Sequence, residues 1–307
     1  MKKIFKYIGN LFTGSKAKQN ADSQVVTEGQ AIRAIVVTDL GNVRKNNEDT
    51  AYFVRPNDPK VRESKGYLGI VADGMGGHAA GEVASKMAVE QIRKSYYETQ
   101  ANIKAGLKAA FELANRKINQ KAQSDQSKKG MGTTATAVVI LNNELYCAHV
   151  GDSRLYHLSK TGIKQLSNDH TYIQELLRKG EISPEKAAVH PERNVLTRAM
   201  GTQKSVEVDV AKIKAPFEVG ERLLLCSDGL YDYLNDQEIY KTAAEGELKT
   251  CAYELVNTAK QRGGHDNITV MIIEAIGEDK SIETKVTMDL DDLVRNSESV
   301  TKEIDIK

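Results

Sequence analysis

Short apolar runs rich in β-branched residues recur along most of the chain, and polar stretches bearing Gly, Asn or Asp separate them. They predict strands over residues 32–37, 50–54, 67–72, 134–141, 145–150, 155–158, 206–213, 222–226 and 268–273. The runs ATAVVI and LYCAHV are joined by Leu141, Asn142, Asn143 and Glu144, a hairpin-turn signal. Two stretches switch to a period near 3.6. Ala80, Val83, Ala84, Met87, Ala88 and Ile92 mark one helix, and Ile103, Leu107, Ala110, Phe111, Ala114 and Ile118 mark the next. Both stripes read as faces packed on a core. A later helical pair is predicted over residues 236–244 and 248–262. Strands, two helices, many strands and two more helices do not alternate as βα units. They predict an α+β layered fold built on antiparallel sheets.

The two ends depart from this pattern. Residues 1–20 carry five Lys and no acid, and on a helix Ile4, Phe5, Ile8, Leu11 and Phe12 would share one face. That segment reads either as an interfacial membrane helix or, as so short a pattern favours, as a frayed terminus. Lys6, Gly9 and Asn10 interrupt it and no small-residue cleavage site follows, unlike a secretory signal. Residues 278–307 carry nine acids against five bases with no sustained period, and read as a flexible acidic tail. The expected organisation is a basic tail over 1–30, one domain over 31–277 and an acidic tail over 278–307.

Across 307 residues, 43 Lys+Arg meet 42 Asp+Glu. That balance excludes a dedicated nucleic-acid binder and an acidic solvating chain. Residues 21–277 hold as many bases as acids, so a charged site there must come from placement, not surplus. The three cysteines, Cys147, Cys226 and Cys251, show no metal-type spacing. Cys147 and Cys226 lie in apolar runs and read as small buried hydrophobes in a reducing compartment. No apolar run approaches the roughly 18–20 residues that span a bilayer. The expected location is cytoplasmic, with membrane-surface contact only through residues 1–20.

The chemistry lies where acids meet glycine at strand ends. Glu48 and Asp49 precede one strand, and Asp73 and Gly74 follow another. Asp152 follows LYCAHV-Gly151, Asp228 follows LLLCS with Asp232 one turn on, and Asp266 precedes Asn267 and ITVMII. Strands that end side by side would gather these carboxylates, and gathered carboxylates resist ionisation unless a cation neutralises them. Oxygen ligands without thiolates favour Mg²⁺ or Mn²⁺ over Zn²⁺. Two such ions acidify a shared water and clamp a phosphate. Any one of these motifs alone reads more often as a turn; five of them at strand ends are harder to dismiss. Arg44, four residues before Glu48, suits a phosphate ligand or a plain surface position. His78, His170, His190 and His265 lie in loop-like surroundings where a general acid could sit, though a lone His is more often structural.

The ordered set RKNNED, VADGMGG, GMGTTATAVVI, AHVGDSRLY, LLLCSDGLYD and GGHDNITVMII closely resembles the metal-dependent Ser/Thr protein phosphatases of type 2C, the PPM family, especially its stand-alone bacterial members. The likeness runs through residues 31–277 in order. It implies a sandwich of two antiparallel β-sheets with a helical pair on each outer face. It implies two Mg or Mn ions and a weaker third. Asp73 would bridge the first two, Glu48 and the Gly74 carbonyl would serve one, and Asp228 and Asp266 the other. Asp152 and Asp232, with Asp228, would form the third site. Arg44 would bind phosphate, while Asp49 and Asn267 would orient ligands and waters. The implied reaction is direct attack of a metal-bridging hydroxide on phosphoserine or phosphothreonine of protein substrates, with no phospho-enzyme. A Ser/Thr kinase is the implied opponent, and a monomer the expected state.

One position departs from the pattern. Some members carry His directly after the first Asp-Gly, where this chain has Met75. The proton donor then falls to a metal-bound water or to His170 or His190. The same departure keeps open a catalytically silent, metal-holding phosphoprotein-binding module. Residues 168–201 correspond to the flap of bacterial members, expected either to influence substrate choice and the third ion or to be a passive insertion.

Overall fold

The computed structural model describes residues 21–29, 32–76, 80–188 and 190–276. The strands are β1 (Ala21–Gly29), β2 (Ile32–Asp39), β3 (Asp49–Val54), β4 (Tyr67–Met75), β5 (Gly132–Thr133), β6 (Ala135–Leu141), β7 (Glu144–Val150), β8 (Arg154–Ser159), β9 (Gly162–Gln165), β10 (Asp209–Lys212), β11 (Arg222–Cys226) and β12 (Ile268–Ala275). The helices are α1 (Pro59–Lys65), α2 (Ala80–Glu98), α3 (Ile103–Ser124), α4 (Tyr172–Lys179), α5 (Pro184–Ala188), α6 (Asp228–Tyr231), α7 (Asp236–Ala243) and α8 (Leu248–Gln261). One sheet runs β1-β2-β12-β11-β8-β9 and the other β10-β7-β6-β4-β3, with β5 beside β4. The pairings are antiparallel throughout.

Period-two alternation explains the layers, because successive side chains leave a strand on opposite faces. In β4, Tyr67 and Val71 join the core between the sheets, while Leu68, Ile70 and Ala72 face outward onto α2 and α3. In β12, Met271 and Ile273 point between the sheets, while Val270 and Ile272 pack under α7 and α8. Both outer faces are therefore apolar and each is covered by its helical pair. This is the expected α-β-β-α arrangement of antiparallel sheets.

Local chemistry sets the boundaries. Asn142 and Asn143 take φ of 50° and 64°, the left-handed pair that a tight hairpin turn requires. Asn235 and Glu238 form a reciprocal capping box at the start of α7. The edge strand β10 is shorter than the run expected over 206–213. The structure also places β1 beside β2, so the sheet reaches into the stretch expected as tail. Residues 1–20 and 278–307, and the membrane and tail readings made on them, lie outside the described residues. No helix among the described residues is long and apolar enough to cross a membrane.

Candidate active site

Antiparallel pairing sets the end of one strand beside the start of its neighbour, and that collects the acids at one edge of the sandwich. In the first sheet, Asp39 at the end of β2 faces Ile268 at the start of β12. Cys226 at the end of β11 faces Val270 and, on its other side, Arg154 at the start of β8. Asp266, Asp228 and Asp152 lie just beyond those strand ends. In the second sheet, Asp49 at the start of β3 is the direct partner of Asp73 near the end of β4. The segments carrying Arg44 and Glu48, and Gly151 and Asp152, cross from one sheet to the other at this edge.

Hydrogen bonds fix the peptides that carry the acids. The Asp73 carbonyl accepts the Thr134 N–H (2.8 Å) and the Thr133 hydroxyl (2.8 Å), and the Asp73 N–H donates to Thr134 Oγ1 (3.0 Å). Asn267 Oδ1 accepts the Glu48 N–H (2.8 Å), while its Nδ2 donates to the Leu40 and Asn46 carbonyls (3.0 Å each). Asn267 therefore ties the Glu48 loop to the start of β12. The Ser227 hydroxyl donates to Asp49 Oδ2 (2.7 Å), and the Tyr231 hydroxyl donates to the Asp152 carbonyl (3.1 Å). Gly74 donates its N–H to the Glu48 carbonyl (3.0 Å). A Cβ on Gly81, in the first turn of α2, would lie 2.4 Å from Glu48 Oε2 and 2.7 Å from the Gly74 carbonyl oxygen. Only a residue without a side chain lets that helix, the Glu48 carboxylate and the Gly74 carbonyl meet.

The electrostatics are those of a crowd of like charges. Burial, then Asp49, Asp228, Asp152 and Asp266, push the Asp73 carboxyl well above the usual carboxylate range. Burial, then Asp152, Asp266 and Asp232, do the same to Asp228. Burial raises Asp152 to about 7, with Asp169 adding and Arg154 opposing. Burial raises Asp49 to about 6 against hydrogen bonds from Thr269 and Ser227. Glu48 is raised by burial, with Arg44 opposing. Such shifts arise when buried carboxylates lack enough positive charge among their neighbours.

The residues fit a divalent cation site. Asp228 Oδ1 is buried without a hydrogen-bond partner, the donors are hard oxygens, and the Gly81 and Gly74 backbones leave room around Glu48. Among the described residues, no three acidic, His or Cys side chains converge on one point as ligands; the acids ring the edge instead. Arg44 donates to Asp266 Oδ2 (2.6 Å) from an exposed position. Asp232 lies one turn beyond Asp228, and its Oδ2 is met by Asn194 (3.3 Å) and Arg193 (3.5 Å) of the flap.

The histidines separate. His78 lies outside the described residues. His170 is 5% exposed with both ring nitrogens engaged, by the Gly151 N–H and by Asp209, so it is not free to hand a proton to a substrate. His190 accepts the Glu192 N–H through Nδ1 (3.1 Å), and His265 Nδ1 pairs with the Tyr233 hydroxyl. The three cysteines are buried and unpaired, and burial pushes the Cys147 thiol up to about 12. That agrees with a packing role and disagrees with a nucleophile. Sequence reading missed Gly81, Ser227, Thr134 and Tyr231. A Gly inside a helical stripe, and polar residues abutting the acids, were the available signals.

The protein phosphatase 2C family model matches residues 33–176 and 198–268. The serine/threonine phosphatase stp of Listeria monocytogenes is 40% identical over 245 residues, 77% of this chain and 93% of that protein. The crystal structure of the Mycobacterium tuberculosis serine/threonine phosphatase PstP/Ppp superposes with a TM-score of 0.71 at 35% identity, covering 80% of this chain and 99% of that one. A structure of the PstP catalytic domain in complex with two manganese ions superposes with a TM-score of 0.67 at 33% identity, covering 80% and 99%.

Proposed function

The chain belongs to the protein phosphatase 2C family, and from that premise we propose that it hydrolyses phosphoserine and phosphothreonine on proteins with divalent cations held among its edge carboxylates. The observation that carries the reading is the set Asp73, Asp152, Asp228 and Asp266, mutually repelling, with Asp228 Oδ1 buried and unpartnered. In this assignment Asp73 would help hold both ions, Glu48 and the Gly74 carbonyl would help hold one, and Asp228 and Asp266 the other. Asp152 and Asp232, with Asp228, offer a weaker third. Mg²⁺ and Mn²⁺ suit this donor set, and the two-manganese structure of a relative supports two ions. Bound there, such ions would supply charge neutralisation and an acidified water for attack on phosphorus.

The chain's own groups do the rest. Arg44 stands exposed at the mouth, where an ion pair with Asp266 is worth only ~0–1 kcal/mol. Its guanidinium can therefore turn to the phosphate oxygens at little cost and stabilise the charge that develops on them. Asn267 holds the Glu48 peptide, and Thr133 and Thr134 hold the Asp73 peptide, so two carboxylates arrive pre-positioned. Met75 has no proton to give, so no side chain at that position acts as general acid. A Ser/Thr kinase acting on the same proteins would be the opposing activity. Relatives similar across the whole domain carry phosphatase names, which supports an active enzyme over a silent binding module.

The test is Mn²⁺-dependent phosphate release from a phosphothreonine peptide. Wild-type protein is expected to exceed Asp228→Asn by more than ~100-fold, beyond what loss of a ligand's supporting partner costs. Activity no greater than that of the variant overturns the proposal.

A further inference from the structure

The flap meets the acidic edge through Asn194 and Arg193 at Asp232, and again at a point built around a buried imidazole. His170 and Gly151 are bound both ways. The His170 N–H donates to the Gly151 carbonyl (2.7 Å), and the Gly151 N–H donates to His170 Nδ1 (3.1 Å). His170 Nε2 donates to Asp209 Oδ2 (3.1 Å), and Arg198 donates to Asp209 Oδ1 (2.9 Å). That partner fixes the tautomer, leaving Nδ1 as the acceptor. The returning end of the flap closes on the same residue, because the Thr197 N–H donates to the His170 carbonyl (2.8 Å). Gly151 has φ +109°, and a Cβ there would lie 2.5 Å from the Thr134 side chain, so this turn has little room for another shape. On the far side of the turn, Tyr231 holds the Asp152 carbonyl. Arg154 lies over the Tyr231 ring (3.6 Å to its centre) and donates to both oxygens of Asp169.

We propose that His170 is a positioning residue: by accepting the Gly151 N–H while anchored to Asp209, it sets where the Asp152 carboxylate stands at the edge. The proposal rests on the reading of Asp152 as a ligand of the weaker cation. His170 never touches substrate; it acts through one peptide bond.

Two substitutions separate its two nitrogens. Asn places Oδ1 where Nδ1 was and keeps an acceptor for Gly151. Gln reaches toward Asp209 but removes that acceptor. The full chain is used, with Asp152→Asn and the double variant as references. Mn²⁺ binding is measured by calorimetry, thermal melting is followed in parallel, and kcat and KM are measured on a phosphothreonine peptide. His170→Gln is expected to weaken the weakest class of Mn²⁺ sites about tenfold and leave the tighter class unchanged, as loss of a ligand's supporting partner does. His170→Asn should stay within about twofold of wild type, and His170→Gln should add nothing in the Asp152→Asn background, because both act on one site. Equal losses in both His170 variants, a uniform loss across all Mn²⁺ classes, unchanged binding in His170→Gln, or full additivity in the double variant would each overturn the assignment. An Asp152→Asn protein that binds Mn²⁺ like wild type overturns it as well. Absence of phosphatase activity in the wild type instead overturns the reading of the site.

Discussion

Glu274 and Asp228 mark opposite ends of the β11–β12 pair, and the two ends are built on opposite terms. Where β11 begins and β12 finishes, Glu274 faces Arg222 across the ladder. Glu274 is 8% exposed and Arg222 3%. Arg222 donates twice to Glu274 Oε1 (2.8 and 3.0 Å) and uses its other donors on the Ala243 and Gly246 carbonyls. Arg33 of β2 donates to the second Glu274 oxygen. At the other end, Asp228 Oδ1 has no partner, and its electrostatic neighbours are carboxylates. The strands are the same; Glu274 is buried and Asp228 half-buried with its Oδ1 shut off from solvent, and what differs is the complement. A buried acid delivered with its cation is architecture. A buried acid delivered without one is a place for a cation the chain does not supply.

Removing the charge at each end should therefore give opposite results. Glu274→Gln leaves two guanidinium groups short of their counter-charge, and breaking such a pair costs ~3–5 kcal/mol. Urea unfolding should show that loss with or without Mn²⁺, while the folded fraction keeps its activity. Asp228→Asn should cost no stability in chelator, because it removes a charge that burial and repulsion already oppose. If both changes destabilise equally, the contrast between the two ends is wrong.

The pH dependence sharpens the same contrast. Asp49 stands at about 6 and Asp152 at about 7, against about 3.9 for an unfolded Asp. A carboxyl whose folded pKa is raised binds its proton more tightly in the folded state. The chelated protein should therefore lose stability as pH climbs from about 4 to about 7. Saturating Mn²⁺ favours the ionised form and should abolish or reverse that fall. Melting temperatures across this window, with chelator and with Mn²⁺, decide it; a chelated protein whose stability rises through the window contradicts the raised carboxylates.

The layered fold was legible because its signals are local. Alternation in the strands, the stripe from Ala80 to Ile92 and the Asn142–Asn143 turn each specify an element without help from distant residues. The short strand β9 (Gly162–Gln165) shows in sequence only as the tail of a meander that starts at LYCAHV, with no range of its own, because Gly-Ile-Lys-Gln has one apolar residue and owes its place to pairing with β8. The acids of the site were legible as strand-end residues, but only the family resemblance, not their spacing, pointed to their gathering. It depends on antiparallel order, such as Asp49 opposite Asp73, which spacing does not encode. His170 shows the remaining gap. In sequence it sits in a polar loop, and only the fold buries it between Gly151 and Asp209.

Ser227 offers the finest cut, because Asp49 stands between the two kinds of end. Asp49 is buried and crowded by acids, yet its Oδ2 accepts the Ser227 hydroxyl, and Ser227 Oγ in turn accepts the Thr269 N–H (3.0 Å). A hydrogen bond to a carboxylate favours its ionised form. Ser227→Ala removes that support and leaves the Thr269 N–H without its hydroxyl, at a cost of about 1–3 kcal/mol in stability. It should also push the Asp49 carboxyl further up, so that Mn²⁺ binding weakens less than ~10-fold at neutral pH and recovers as pH rises. Titrating Mn²⁺ into wild type and variant at two pH values measures both effects. A loss of affinity that does not depend on pH would mean that Ser227 supports the backbone of α6 and not the charge on Asp49.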